Sequence, residues 1–505
     1  MFSSELKMDF DKIPVSQNFN IRLLIRISAE SDSISERPQL NLGIVLDRSG
    51  SMEGNKLSYV KMAASNLISR LAENDICSVT VFDDRIDVLT EPVHAGDIHN
   101  YDSITAGIEA RGNTCLSGGF QKGFDLVGKN ITGNNISRIL LLTDGLANKG
   151  VTDTDALSGL SGSFMAKSVT TTTIGVGNNY DEVLMGAIAH SGGGNTYFIE
   201  NPDDAPGIFQ EELGYLISIA ATDVSVVFTP KVRGLKVSQL NNYRQNGTNS
   251  YEIGDIYSGQ GKILILETEI PPQHEQGSID LADIRINYRD VNKDGMPLET
   301  VEKTAVISVV SAGEFSLQQA GHDVTLNAAL LYIADIKSRM MKLANQGKFK
   351  EASETASATV TGLEALGIKD TVLDNEIQDL KIRAKGFDER GEKYYSPREK
   401  KRMYYESEMV LKNSLPQYDS MKSRRKEDLI LKNQGRKYKN GDILEAVVLR
   451  NETPYVIVNL LDKRYDNEFR FKYSAGLPEG ETVQVSVAEC SNNSIVKILF
   501  IRWLR

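Results

Sequence analysis

An α/β fold with a doubly wound, mainly parallel sheet is predicted by three observations. Between residues 40 and 218, strand-like runs near 40–47, 76–82, 137–143, 169–176 and 195–199 alternate with helical stretches. The runs are continuously apolar and β-branched rather than alternating, as strands covered by helices on both faces must be. The stretch from Lys56 to Leu71 places Val60, Ala63, Ala64, Leu67, Ile68 and Leu71 on one face, which is helical spacing.

The first strand ends in chemistry. Leu42-Gly43-Ile44-Val45-Leu46 runs directly into Asp47-Arg48-Ser49-Gly50-Ser51. In open α/β sheets, ligands bind in the crevice outside the carboxyl ends of the strands. Two downstream segments supply matching groups: Thr114 in Gly112-Asn113-Thr114-Cys115-Leu116, and Asp144 in Leu142-Thr143-Asp144-Gly145. Asp47, Ser49, Ser51, Thr114 and Asp144 together make a candidate metal site of five oxygen donors. Such hard donors favour Mg²⁺, with Mn²⁺ or Ca²⁺ as alternatives, over zinc or copper. Five protein groups leave an octahedron incomplete, and a carboxylate from another molecule suits the open position. The bland alternative is that Ser49 or Ser51 merely caps the helix starting near Lys56.

An enzyme is not expected. Hydrolytic metal sites need a base and a polarised leaving group. The five histidines (His94, His99, His190, His274, His322) all lie outside the three motif segments. No phosphate loop, H-E-x-x-H run or nucleophile elbow is present in the sequence.

These segments resemble the metal-ion-dependent adhesion site of von Willebrand factor A domains. Asp47, Ser49 and Ser51 fit D-x-S-x-S, the family threonine falls on Thr114, and the second aspartate on Asp144. Thr173-Ile174-Gly175-Val176-Gly177, Leu184 to Ala189, Gly192-Gly193-Gly194 and Tyr197-Phe198 follow the family's last two β-α units, so the likeness spans roughly residues 39 to 220. Asn113 departs from it, standing where relatives often carry glycine; asparagine tolerates positive φ better than other residues. The resemblance, to the bacterial cytoplasmic type, implies a Mg²⁺-dependent protein-binding scaffold that docks an acidic residue of a partner. It also implies partners such as an AAA+ ATPase or a kinase–phosphatase pair, and a last helix, about Pro206 to Ile217, that shifts between open and closed arrangements.

The 505 residues suffice for three or four domains, and 40% hydrophobic with 25% charged residues is a globular composition. The net charge of −11 argues against wholesale nucleic-acid binding. Cys77, Cys115 and Cys490 are scattered, which fits a reducing compartment. Met1 to Asp11 lacks the apolar core of a secretory signal, and no run of 18 apolar residues exists, so a cytoplasmic protein with no membrane span is expected.

The flanks divide by pattern. Residues 1–38 hold the strand Ile21–Ser28, which has no helix to pair with and is expected to join a β-sandwich over 221–312, around an inserted metal-binding domain at 39–220. Consecutive strands Val224–Thr229, Leu235–Leu240, Lys262–Ile270, Ile284–Tyr288 and Thr304–Val310 predict that sandwich. Within it, Asp290-Val291-Asn292-Lys293-Asp294-Gly295 begins like a calcium loop, but Val301 stands at the twelfth position and a hairpin turn is the better reading.

Residues 313–412 read as a helical bundle, with apolar spacing from Leu326 to Leu343, then helices from about Phe349 to Leu366 and Thr371 to Lys385. The turn Asn345 to Ala352 looks like a single tetratricopeptide-type turn, which makes no array. Residues 390 to 440 hold 15 basic and 7 acidic side chains, expected to be a solvated helix face, with a basic linker at 413–435, or a contact to the acidic body. Residues 436–505 fit five short strands of a small OB- or SH3-like β-barrel. Phe469, Phe471 and Tyr473 alternate on one face, as barrel core or as a base-stacking platform. A nucleic-acid-associated adaptor working through these last two parts is the alternative function.

Overall fold

The computed structural model describes residues 2–29, 37–144, 146–177, 180–199, 205–293 and 295–411, and the strands of a terminal sheet within 443–503. Residues to 414 and from 415 onward form two separate compact units.

The chain opens with three strands, β1 (Phe2–Met8), β2 (Lys12–Pro14) and β3 (Phe19–Ala29). It then enters the α/β layer: β4 (Gln39–Asp47), α1 (Asn55–Ile68), β5 (Ile76–Phe82), β6 (Ile86–His94), α2 (Tyr101–Ala106), α3 (Leu116–Val127), β7 (Asn135–Thr143), α4 (Thr154–Met165), β8 (Val169–Val176), α5 (Glu182–Ser191), β9 (Gly193–Ile199) and α6 (Ala205–Ile217). The sheet order is β6-β5-β4-β7-β8-β9, and strand order reverses at β4, where Asp47 ends the strand. Every pairing is parallel except β5–β6. The sheet is therefore mixed, closed on one side by the antiparallel edge strand β6. No alternation announced β6: Ile86-Asp87-Val88-Leu89-Thr90-Glu91 is half-exposed along its whole length.

The two faces of the sheet bury different sets. Leu42, Ile44 and Leu46 of β4 pack with Val60, Ala64 and Leu67 of α1 and with Phe209, Leu213 and Leu216 of α6. On the other face Phe164 of α4 stacks on Phe124 of α3 with ring centroids 3.9 Å apart and meets Phe120 edge-on. Gly123 lets α3 sit against β4, since a Cβ there would come 2.3 Å from Val45 Cγ2.

The chain continues as β10 (Ile219–Pro230), β11 (Lys236–Gln239), β12 (Arg244–Gln245), β13 (Ser250–Tyr257), β14 (Gln260–Ile270), β15 (Gly277–Asp290) and β16 (Leu298–Val310). Two sheets result, β1-β3-β14-β11 and β12-β13-β10-β15-β16-β2. The N-terminal strands are thus shared out: β3 pairs with β14 along its whole length, and β2 lies parallel to β16. Leu23, Ile25 and Ile27 of β3 meet Val226, Phe228, Ile284 and Ile286 in one core. The Asp290 segment is a hairpin turn, with the Asn292 backbone N–H donating to Asp290 Oδ1 at 3.0 Å; Asp294 lies outside the described residues.

Helices α7 (Ala312–Phe315), α8 (His322–Asn345), α9 (Phe349–Ala365), α10 (Thr371–Arg390) and α11 (Pro397–Leu411) follow. Of the two readings of the basic run, contact with the acidic body holds at α11 and a solvated face does not. Lys401 is buried, and its ammonium donates to the Tyr180 carbonyl at 2.6 Å and to Glu182 of α5 at 2.7 Å. Lys400 reaches the other oxygen of Glu182 at 2.9 Å. The other side of α11 enters a buried charge cluster, where Arg383 of α10 meets Glu406 at 2.6 Å and Glu399 at 2.5 Å, and Lys337 of α8 meets Glu376 at 2.8 Å. A basic run can therefore be an internal strap when each cation finds a buried carboxylate. The expected linker at 413–435 lies outside the described residues.

In the second unit β17 (Ile443–Glu452), β18 (Tyr455–Leu460), β19 (Glu468–Lys472), β20 (Thr482–Ser491) and β21 (Ser494–Trp503) form one antiparallel sheet, ordered β19-β18-β17-β20-β21. Among the described residues β19 and β21, the two ends of this order, lie close to each other without a hydrogen-bonded ladder between them, so a five-stranded sheet is shown and its closure into a barrel is not. Tyr473 lies outside the described residues. No described helix is long and apolar enough to cross a membrane.

Candidate metal centre

β4 delivers Asp47 to the end of the sheet, and the chain turns at once. The Asp47 carboxylate accepts the Ser49 backbone N–H on Oδ1 at 2.7 Å and the Thr143 hydroxyl on Oδ2. Ser49 Oγ stands 3.0 Å from Ser51 Oγ, and Ser51 Oγ donates to Asp144 Oδ1 at 2.7 Å. Asp47, Ser49, Ser51 and Asp144 thus form one hydrogen-bonded chain, joined to Asp47 through the Ser49 backbone N–H and from Ser49 to Asp144 oxygen to oxygen. The capping alternative fails: α1 starts at Asn55 behind Gly54, and neither serine side chain caps a helix.

Thr114 is buried and joins through its loop. The Gly50 N–H donates to the Gly112 carbonyl at 3.1 Å, and the Arg111 N–H to the Arg48 carbonyl at 2.8 Å. On the other side Asn148 Oδ1 accepts the Thr114 N–H at 2.9 Å. The positive φ of this loop falls on Gly112 (+67°), and Asn113 is absent from the described residues with positive φ. Gly112 is needed for space as well, since a Cβ there would stand 2.0 Å from Asp84 Oδ1. The asparagine that departs from the family pattern therefore carries no backbone strain.

Burial sets the electrostatics. Asp47 and Asp144 are both fully buried. Desolvation raises the Asp47 carboxyl to about 6, against the lowering effect of its hydrogen bonds, with the Asp144 charge adding to the rise. Two buried carboxylates at one point call for positive charge. Ser51 is exposed, so the cluster opens to solvent on that side. Among the described residues no group of three His, Cys, Asp or Glu is placed to hold a metal ion. A cation here must draw on the hydroxyls and on an outside ligand, which fits Mg²⁺ and excludes a zinc cage.

Sequence reasoning overlooked the supports. Arg48 bridges Asp83 at 2.9 Å and also Asp87, and Arg111 meets the same two carboxylates at 2.7 and 3.1 Å. Burial works to raise the Asp83 carboxyl, but Arg111, the Arg85 N–H and Arg48 outweigh it and hold it low. Lys56 was missed too. Its ammonium pairs with Asp144 Oδ2 and donates to the Ser51 carbonyl at 3.2 Å. The signal was its place in the first turn of α1, where a side chain leans back toward the helix start.

Behind the site a second buried network holds α6. Glu212 accepts from Arg138 Nη1 at 3.0 Å, from Thr172 at 2.6 Å, from Asn195 at 3.1 Å and from Tyr197 at 2.7 Å. Arg138 also meets Asp255 of β13, which links β7, α6 and the sandwich.

Comparison with known proteins bears on this geometry. Residues 42–146 match the family model described as von Willebrand factor type A domain. The chain is 28% identical over 373 residues to the uncharacterized protein sll0103 of Synechocystis, covering 69% of this chain and 82% of that one. It is 26% identical over 302 residues to the uncharacterized protein YfbK of Escherichia coli K12, covering 57% of this chain and 50% of YfbK. Among solved structures, the ArnB paralog VWA2 from Sulfolobus acidocaldarius superposes with a TM-score of 0.55 at 19% identity, over 81% of this chain and 98% of its own. A von Willebrand factor type A protein from Catenulispora acidiphila gives 0.57 at 14% identity, over 76% and 96%. The chain carries a von Willebrand factor type A domain, and the solved structures share its fold.

Proposed function

We propose that this protein is a non-enzymatic, Mg²⁺-dependent docking scaffold. A von Willebrand factor type A domain suggests a protein-interaction role; the observation that carries the finer reading is the hydrogen-bonded chain Asp47–Ser49–Ser51–Asp144, with two buried carboxylates and the exposed residue Ser51 at the switch point of the sheet. Asp47, Ser49, Ser51 and Thr114 would hold the ion, with Asp144 acting directly or through water. The bound ion supplies an open coordination position for a partner's carboxylate. The protein's own groups orient that position: Thr143 and the Ser49 N–H fix Asp47, and the Arg48–Asp83–Arg111 bridges fix both loops. The partner is a protein with an exposed acidic residue, an AAA+ ATPase or a kinase–phosphatase system being the classes the resemblance offers, and the setting is the cytoplasm.

Affinity capture from the native host tests this, using wild type and Asp47→Ala, each with Mg²⁺ and with EDTA. A protein retained only by wild type with Mg²⁺ is expected. Equal recovery in all four arms would sink the docking mechanism.

A further inference from the structure

The two oxygens of Asp144 are both occupied, and by different kinds of donor. Ser51 Oγ takes Oδ1 at 2.7 Å, and the Lys56 ammonium takes Oδ2. The lysine is not a stray surface group. Its side chain is 27% exposed, its ammonium also donates to the Ser51 carbonyl at 3.2 Å, and its stem lies along Gly177 at the end of β8. Gly177 has φ +74°, and a Cβ there would stand 3.2 Å from Lys56 Cε. Three elements thus hold one positive charge against a carboxylate that a divalent cation would also use.

We propose that Lys56 is the site's internal counter-cation, and that divalent binding at Asp144 requires its ammonium to leave Oδ2. This rests on the metal-docking reading above and adds the residue that sets its affinity. The physical ground is competition. Asp144 is fully buried, so its charge needs a partner at all times. Lys56 is that partner when no ion is bound, which keeps the cluster assembled. An arriving divalent ion removes that need, and ion and ammonium then repel at close range. The flexible four-carbon stem and the partial exposure give the ammonium a way out to solvent. A neutral side chain in place of the lysine would therefore tighten metal binding.

The test is calorimetric titration of Mn²⁺ into the full chain, comparing wild type with Lys56→Met, Lys56→Gln and Lys56→Arg, with Asp47→Ala as the site control and far-UV circular dichroism to confirm folding. Removing the charge is expected to tighten binding about tenfold, the order given by Coulomb's law for the attraction between unit charges about 3 Å apart in a water-like medium, which the ion must otherwise break. Lys56→Arg should stay within about twofold of wild type. Equal or weaker binding in both neutral variants, with wild type still binding, would overturn the role of Lys56 and leave the metal reading standing. Absence of Mn²⁺ uptake in wild type and in both neutral variants would overturn the metal reading and this inference with it.

Discussion

Glu212→Ala is expected to be among the most damaging single changes in the α/β domain, although Glu212 touches no part of the candidate site. Arg138 is fully buried and faces two carboxylates, Glu212 and Asp255. Burying a guanidinium is tolerable because both are present; taking one away leaves it under-compensated. Breaking a buried ion pair from one side costs about 3–5 kcal/mol. The hydroxyls of Thr172 and Tyr197 lose their acceptor in the same step, each a loss of roughly 1 kcal/mol. These contributions share one carboxylate, and water entering the vacated space offsets part of them, so about 3–5 kcal/mol in total is the expected loss. Against a typical domain stability of about 5–15 kcal/mol this is roughly a fifth or more. Glu212→Gln keeps the shape and one acceptor and removes the charge, so it should fall between wild type and alanine. Urea denaturation of the full chain, followed by far-UV circular dichroism, gives the midpoint shift, and hydrogen exchange over α6 localises it. An alanine variant that loses less than about 1 kcal/mol, with α6 protected as in wild type, would refute the network's role. The same network bears on the shifting last helix implied by the resemblance, because any sliding of α6 must first break the bonds of Glu212.

Other outcomes follow from single contacts. Glu182 is held below the ordinary carboxylate range: its burial works the other way, but Lys401 and Lys400 outweigh it. Its contribution is thus fully present above about pH 4.5 and is lost as the pH falls through the lower folded value, so proteolysis near α11 should accelerate below that point and not at pH 6. Lys401→Met should cost about 2–3 kcal/mol, under the full buried-pair range because Lys400 still reaches Glu182; an unchanged melting temperature would contradict this. Gly123→Ala should lower stability by about 1–3 kcal/mol through the clash with Val45, read as a drop in melting temperature with the fold retained. Cys77, whose thiol burial pushes up to about 12, should resist iodoacetamide at pH 8 in the folded chain; labelling as fast as in urea would show that the core around it opens.

Legibility in the sequence tracked burial symmetry. Strands β4, β5, β7 and β8 are buried on both faces and announce themselves as apolar, β-branched runs. β6 packs on one side only and carries Asp87, Glu91 and Pro92, so no periodic signal marks it. β13 escaped for another reason: Gly254 at φ +79° and register shifts against β10 break its alternation. In the site, the motif residues were legible because strand ends place them. The charges around them were not. Arg48 sits at a motif position with no assigned type, and its partners come from the turn after β5 (Asp83) and from β6 (Asp87). Lys401 misled most: in sequence it belongs to a run of like charges, and only the tertiary approach of Glu182 makes it an interior residue.

Asp47, Ser49, Ser51, Thr114 and Asp144 are proposed to hold a divalent cation. The most direct test is electron paramagnetic resonance of free Mn²⁺ during titration of the full chain, wild type against Asp47→Ala, followed by displacement with Mg²⁺. One equivalent should be bound by wild type and released by Mg²⁺, with none bound by the folded variant. Equal uptake by both chains, or none by either, would contradict the proposal.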